Sequence, residues 1–410
     1  MGVTSDDSGR QPFRTREETS DAFARHVDRG KVDALTSLDF DVVIGERDGA
    51  RFSDAFGGSR FWNCHCNGGV FNLGHRNPRV VAAVKEALDR IDIGNHHLIS
   101  GWRARLAQQL SDSTEGRLPG VVFGSSGSEV VDVALKVARG MTGRTKIVSA
   151  NGAYHGSTGY GRAAGEPQFD APFGPRQPGF EQVPFNDLAA LEVAIDDGTA
   201  AVILESIPAT LGFPMPSPGY LGAVGDLAHS RGALLVLDEV QTGLGRTGTF
   251  WHYQQHDVEP DMVIAGKGLS GGIYPISAVM MTEMAHRLID ENPFSHDSTF
   301  GGAEIGCVAA STVMEIVGEP GFLDRVATLG ERFEKGFEGA PFEVRRAGMT
   351  MGLKFDHPDG GLFACASLIE EGVFAVFAFY DRSVTQFLPP LTITDEEADE
   401  IIALTRKALG

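Results

Sequence analysis

Residues 233–275 constrain the fold more than any other stretch. Two apolar runs, 233–237 and 262–265, are each bounded by turn and polar residues. Runs this short, apolar throughout rather than alternating, read as strands covered on both faces, the habit of parallel sheets. The first ends in Asp238-Glu239 and the second is followed by Gly266-Lys267-Gly268. Further strands are expected at 121–123, 146–149 and 201–204, the last ending at Glu205, with helical spacing between them. Alternating strands and helices predict an α/β, doubly wound, mostly parallel sheet. In such sheets ligands bind beyond the carboxyl ends of the strands, where Glu205, Asp238 and Lys267 fall.

A lysine flanked by glycines at a strand end suggests a Schiff-base nucleophile. An aspartate at a strand end is by itself an ordinary cap, and a lysine in a loop is ordinarily solvated. Together they are the two protein groups that pyridoxal 5'-phosphate (PLP) most needs, an imine-forming amine and a carboxylate for the pyridinium nitrogen. The run DEVQTGLGRTG from Asp238 to Gly248, then Pro260-Asp261, then Lys267 before glycine-rich sequence, resembles the signature of class III aminotransferases. The resemblance covers roughly residues 40 to 405. It implies a fold type I PLP enzyme: a large domain with a mostly parallel seven-stranded sheet flanked by helices, and a smaller α+β domain built from both chain ends. On that basis 1–20 is an arm, 21–75 and 321–410 form the small domain, and 76–320 the PLP-binding domain.

The same resemblance implies roles. Lys267 carries PLP as an internal aldimine and later moves a proton as the catalytic base. Asp238 holds the pyridine nitrogen and Gln241 the ring hydroxyl. GSSGSE after residues 121–123 opens a helix, an arrangement whose N–H groups and dipole favour an anion; it matches the family's phosphate loop and gives Ser126, Gly127 and Ser128 that role. Tyr154, before His155-Gly156, corresponds to the aromatic stacked on the cofactor ring, and Glu205 joins the cofactor-binding set. Ser298-Thr299-Phe300-Gly301-Gly302 resembles the family's STFGG, in which the Thr reaches the phosphate in the neighbouring subunit. Thr299 therefore implies a homodimer with a shared active site, although Ala303-Glu304 replaces the usual Asn-Pro.

Two positions depart from the pattern. Members read Arg-x-x-Pro-Pro-Leu near the C-terminus, where the Arg binds a substrate carboxylate; here the Arg position is Gln386, which has neither the charge nor the fork of donors. The gating Glu of many members is here Thr210, and the Pro after Glu205 is Ser206. Arg103, Arg345 or Arg382 could supply an anchor instead. Transamination between an amino acid or amine and a keto acid or aldehyde is favoured. The alternative is a PLP-dependent elimination, replacement, C–C bond formation or decarboxylation in specialised metabolism.

The remaining sequence narrows the setting. A formal net charge of −20 argues against nucleic acid or an anionic membrane as partner. Four cysteines in 410 residues make no disulfide framework. Cys64-His65-Cys66 lacks the spacing and the second pair of a zinc site, and His96-His97 should face opposite ways, so no metal is expected. No signal peptide or membrane-spanning run is visible, which implies a cytoplasmic enzyme acting on small molecules. Asp48-Gly49 marks a hairpin over 42–54. Helices are expected near 20–29, 79–90, 102–110, 304–317 and 395–408, a loop over 166–184, and strands within 342–355 and 372–388.

Overall fold

The central strands alternate with a period of two. Ala201, Ile203, Val236, Met262, Ile264, Val279 and Met281 pack into one apolar layer, while Val202, Leu204, Leu235, Leu237, Val263, Ala265 and Met280 pack into another. Successive side chains of a strand point to opposite faces, so both faces of this sheet are covered. The computed structural model describes residues 11–38, 40–169 and 171–410. Its largest sheet has seven strands, in the spatial order Gly120–Gly124, Ser277–Met281, Met262–Ala265, Leu234–Asp238, Thr199–Glu205, Lys146–Ala150, Phe180–Val183. All pairings are parallel except those of Ser277–Met281, which runs antiparallel to both its neighbours.

Helix Gly127–Thr142 covers one face with Val130, Val133, Ala134 and Val137. The other face carries helices Gly101–Ser113, Leu188–Ala194 and Tyr220–Ser230, with Cys307 and Met314 from Glu304–Val317. Two strands of this sheet escaped the sequence reading. Phe180–Val183 closes the expected loop as an edge strand, and Ser277–Met281 follows a glycine-rich turn.

Two four-stranded sheets complete the fold. The expected hairpin forms between Ile44–Asp48 and Arg51–Asp54 and continues into Arg60–Asn63, which pairs in parallel with Val373–Phe374. The second sheet runs Glu343–Ala347, Thr350–Lys354, Val384–Phe387, Val376–Phe377. Trp62, Cys64, Phe333, Met351, Phe387 and Ile401 share one core, so both chain ends are packed together. Helix Asp395–Leu409 is capped by Thr394, whose hydroxyl accepts from the Glu397 N–H while Glu397 reaches back, a capping box. Near the N-terminus the chain is helical from Arg16 to His26, earlier than expected, and again over Arg29–Ser37. Residues 1–10 of the expected arm lie outside the described residues.

Candidate active site

Three adjacent parallel strands end at one edge and deliver Glu205, Asp238 and Lys267 there. Glu205 and Asp238 are register partners, and Lys267 follows the end of Met262–Ala265 by two residues. The turn after Lys146–Ala150 brings Tyr154 and His155, and the turn after Gly120–Gly124 brings Ser126–Ser128. Each arrives because its strand runs parallel and ends at the same edge.

Asp238 is buried. Its Oδ2 lies 2.9 Å from His155 Nδ1, and its Oδ1 accepts the Val240 N–H at 3.1 Å. His155 is buried as well, and its Nε2 has no hydrogen-bond partner among the described residues. Burial disfavours the charged imidazole, but the hydrogen bond and charge of Asp238, with Glu205 beyond, raise the His155 pKa. Glu205 accepts the Tyr154 N–H at 3.0 Å, and burial pushes its carboxyl pKa up to about 7. Lys267 is half-buried and its ammonium pKa is lowered by desolvation, against the pull of Asp238 and Glu205. Its backbone φ of 41° lies in the left-handed region that side chains other than glycine seldom occupy, a strain typical of functional positions.

At the opposite end, Ser126 caps helix Gly127–Thr142 by accepting the Glu129 N–H, and Glu129 takes the N–H and hydroxyl of Ser125 at 2.7 and 2.8 Å. Gly156, at φ 106°, lies so close to Ser128 that a Cβ would stand 2.1 Å from its Oγ. The Ser157 N–H donates to that same hydroxyl.

These residues enclose two adjoining cavities. The inner one, of about 180 Å³, is lined by Gly127, Ser128, His155, Asp238 and Val240 among others. The outer one, of about 590 Å³, is walled by Phe173, Phe379, Tyr380, Arg162, Thr210 and Gln386 among others. Tyr154, Gly156, Glu205, Gln241 and Lys267 line both. Gly68 completes the floor beside the lysine: a Cβ there would come within 3.3 Å of Lys267 Nζ and Gln241 Nε2.

Of the sequence-derived residues, Gly127, Ser128, Tyr154, Glu205, Asp238, Gln241 and Lys267 converge here. Ser126 lines a neighbouring depression that also touches Lys267, and Thr299 is exposed and lines neither cavity. Gln386 lies on the outer wall, its Nε2 donating to the Phe377 carbonyl. None of the three arginines suggested as anchors lines this cavity. Arg103 donates to the carbonyls of Gly302, Asn95 and Leu98, Arg345 to that of Gly212, and Arg382 pairs with Asp359. The arginine on the wall is Arg162, missed because helix Gly159–Ala164 falls in a glycine-rich segment with no motif. His155 was seen without a role; its position one residue from Tyr154 was the available signal. Ser206, where the pattern has proline, donates to Glu239, a buried carboxylate that also takes the Thr242 hydroxyl and two backbone N–H groups. His96 and His97 do not diverge: their rings lie 3.9 Å apart and both face Asp297.

Residues 34–409 match the family model for class III aminotransferases. The chain is 46% identical over 394 residues to an uncharacterized aminotransferase of Archaeoglobus fulgidus, covering 95% of this chain and 93% of that one. The chain belongs to the class III aminotransferase family. Among solved structures, the ornithine aminotransferase of Toxoplasma gondii superposes with a TM-score of 0.87 at 28% identity, covering 97% of this chain and 96% of that one. The acetylornithine aminotransferase of Elizabethkingia anophelis gives 0.81 at 26%, covering 97% and 99%. The fold of this aminotransferase is therefore fold type I, and its cofactor is PLP, as the family requires. A second T. gondii structure is described with partial occupancy of PLP at the active site. Class III aminotransferases are generally dimeric and act on small molecules.

The residues of this chain fit the cofactor. The inner cavity offers backbone N–H groups at a helix N-terminus for a phosphate, a buried carboxylate for a ring nitrogen and an amine for an aldehyde. The close approach of Gly156 to Ser128 keeps that side of the inner cavity narrow. Among the described residues no helix is long and apolar enough to cross a membrane.

Proposed function

We propose that this chain is a transaminase exchanging an amino group between an amino acid or amine and a keto acid or aldehyde, with Lys267 as the cofactor-bearing residue and base. One observation carries this reading: Lys267 lies on the wall shared by the cofactor-sized inner cavity and the larger outer one. The family and the aminotransferase relatives favour transamination over elimination, replacement or decarboxylation.

Bound PLP supplies an electron sink that stabilises negative charge on the substrate carbon bearing nitrogen. The chain does the rest. Ser126, Gly127 and Ser128 would hold the cofactor's phosphate, Tyr154 would cover its ring and Gln241 would bind its hydroxyl. Asp238, fixed by His155, would pair with the ring nitrogen. Lys267 Nζ takes a proton from the substrate carbon and returns it; desolvation lowers its pKa toward the range in which an amine acts as a base. Glu205 sits beside it with a carboxyl that titrates near neutrality.

The reading extends to a cytoplasmic homodimer in which Thr299 reaches the partner's phosphate. Exposure of Leu98, Ile99, Phe294 and Phe300 supports it, since apolar side chains on neighbouring loops call for a covering surface. The division into 21–75 with 321–410, and 76–320, remains our reading of the domains.

The decisive experiment mixes PLP-loaded protein with single amines and amino acids, without keto acid, and follows the cofactor spectrum and products. Stoichiometric conversion of the donor to its oxo product, with nitrogen retained on the cofactor, supports transamination. Turnover with the cofactor returned unchanged overturns it.

A further inference from the structure

We infer that His96, His97 and Asp297 form a binding site for a divalent transition metal of the zinc class, joining residues 92–99 to the segment that carries Thr299. The site is independent of the reaction assigned above.

The two adjacent histidines do not face opposite ways, which was the ground for expecting no metal at them. Asn95 Oδ1 accepts the His97 N–H at 3.0 Å, and the bend leaves the two ring centroids 3.9 Å apart. His96 Nε2 then stands 3.4 Å, and His97 Nδ1 3.7 Å, from the same oxygen, Asp297 Oδ2. The three atoms lie within 4.8 Å of one another. Both nitrogen–oxygen distances exceed those of direct hydrogen bonds. Atoms bound to one zinc ion at about 2.1 Å in a tetrahedron stand roughly 3.4 Å apart, close to both distances. Two imidazoles and a carboxylate suit zinc and its first-row neighbours, and leave a fourth position for water. Magnesium and calcium prefer oxygen ligands throughout and fit the set poorly. Among the described residues no other three histidine, cysteine or carboxylate side chains converge in this way.

The backbone beneath the ligands is held by bonds that do not involve their side chains. Arg103 donates through Nε to the Gly302 carbonyl at 2.8 Å, and through Nη1 to the carbonyls of Asn95 and Leu98, both at 3.2 Å. The Glu304 N–H donates to the Ile93 carbonyl at 3.1 Å. The two segments are thus fixed side by side before an ion arrives, and ordering on binding falls on three side chains alone. His96 is partly buried while His97 and Asp297 are exposed, which leaves an entry path. Asp297 lies two residues before Thr299, so a bound ion restrains the segment on which the shared-site reading depends.

The test titrates tag-free, chelator-treated, PLP-loaded enzyme with Zn²⁺ by calorimetry, in wild type, H96A, H97A and D297N. Wild type should bind one ion per subunit, and Mg²⁺ should neither bind there nor compete. Each substitution should weaken Zn²⁺ binding by at least about tenfold, whereas chelation by the cofactor itself would be the same in all four proteins. Zn²⁺ should also raise the melting temperature of wild type and move that of the double variant H96A/H97A far less. Absence of Zn²⁺ binding by wild type overturns the assignment, as does an affinity unchanged in any one of the three single variants. If one variant does not fold, the other two decide. Neither readout uses turnover, so failure of the transaminase reading leaves both intact.

Discussion

His155 Nδ1 and Asp238 Oδ2 stand 2.9 Å apart, and neither side chain meets bulk solvent. The imidazole therefore fixes the carboxylate that we assign to the ring nitrogen, and shares a proton with it. Because the folded state raises the His155 pKa, the pair stabilises the fold fully below the unfolded value, about pH 6.5. That contribution is lost as pH rises through the folded value. The melting temperature of the PLP-free protein should thus fall more in H155Q than in wild type at pH 6, with the gap narrowing toward pH 9. In the holoenzyme, H155Q should also shift the pH titration of the cofactor absorbance. A spectrum and pH profile identical to wild type would remove His155 from the site.

Glu205 gives a second pH signature. Its carboxyl pKa is raised to about 7, so the protonated form is the one the fold prefers. Stability from this group is full below the unfolded value and declines as pH climbs to about 7 and beyond. E205Q, which cannot ionise, should be more stable than wild type at pH 8.5, by on the order of 3 kcal/mol without the cofactor, and should match it near pH 4.5. Urea denaturation at the two pH values measures the difference.

Arg246 is fully buried and draws three parts of the chain together. Its guanidinium donates to Asn72 Oδ1 and to the carbonyls of Met349 and Pro389. Desolvation lowers its pKa to about 10, still well above neutrality, so it stays charged. R246A strips donors from buried acceptors and opens a cavity, and should cost about 3–5 kcal/mol in urea denaturation. R246K, which keeps the charge and loses the fork, should fall between.

Gly156 tests the cofactor cradle. A methyl there would meet Ser128 Oγ at 2.1 Å and Ser128 Cβ at 2.7 Å, on a backbone with φ 106°. G156A should weaken PLP affinity at least tenfold, read by fluorescence titration of the PLP-free protein. Unchanged affinity in G156A would separate this turn from the phosphate site.

Lys267 is the residue whose loss should be most complete. Borohydride reduction of the holoenzyme followed by peptide mass spectrometry should find the cofactor on Lys267. K267A should hold PLP only noncovalently, with transfer activity below detection.

The strands at residues 201–204, 233–237 and 262–265 were legible because each is an unbroken apolar run, closed by Glu205, by Asp238 and by Gly266-Lys267. The site residues were legible because strand ends and glycine turns carry them. What was hidden depends on distance in sequence. Arg162 reaches the outer wall through helix Gly159–Ala164 and a turn that no periodicity marks. The antiparallel entry of Ser277–Met281 between Gly120–Gly124 and Met262–Ala265 is a tertiary choice that no local pattern encodes. His96 and His97 share a side because Asn95 accepts the His97 N–H and bends the backbone between them.

The parallel pairing of Trp62 with Val373 has a consequence for synthesis. The N-terminal hairpin emerges from the ribosome roughly three hundred residues before its partner. At common elongation rates the interval is about 15–60 s. Through it the edge of Arg60–Asn63 stays unpaired, a template for any other strand. The central sheet, whose strands all lie between Gly120 and Met281, can assemble in the meantime. Maturation of this enzyme is thus ordered from the middle outward, and a nascent chain stalled short of Val373 would carry a finished cofactor sheet beside an open one.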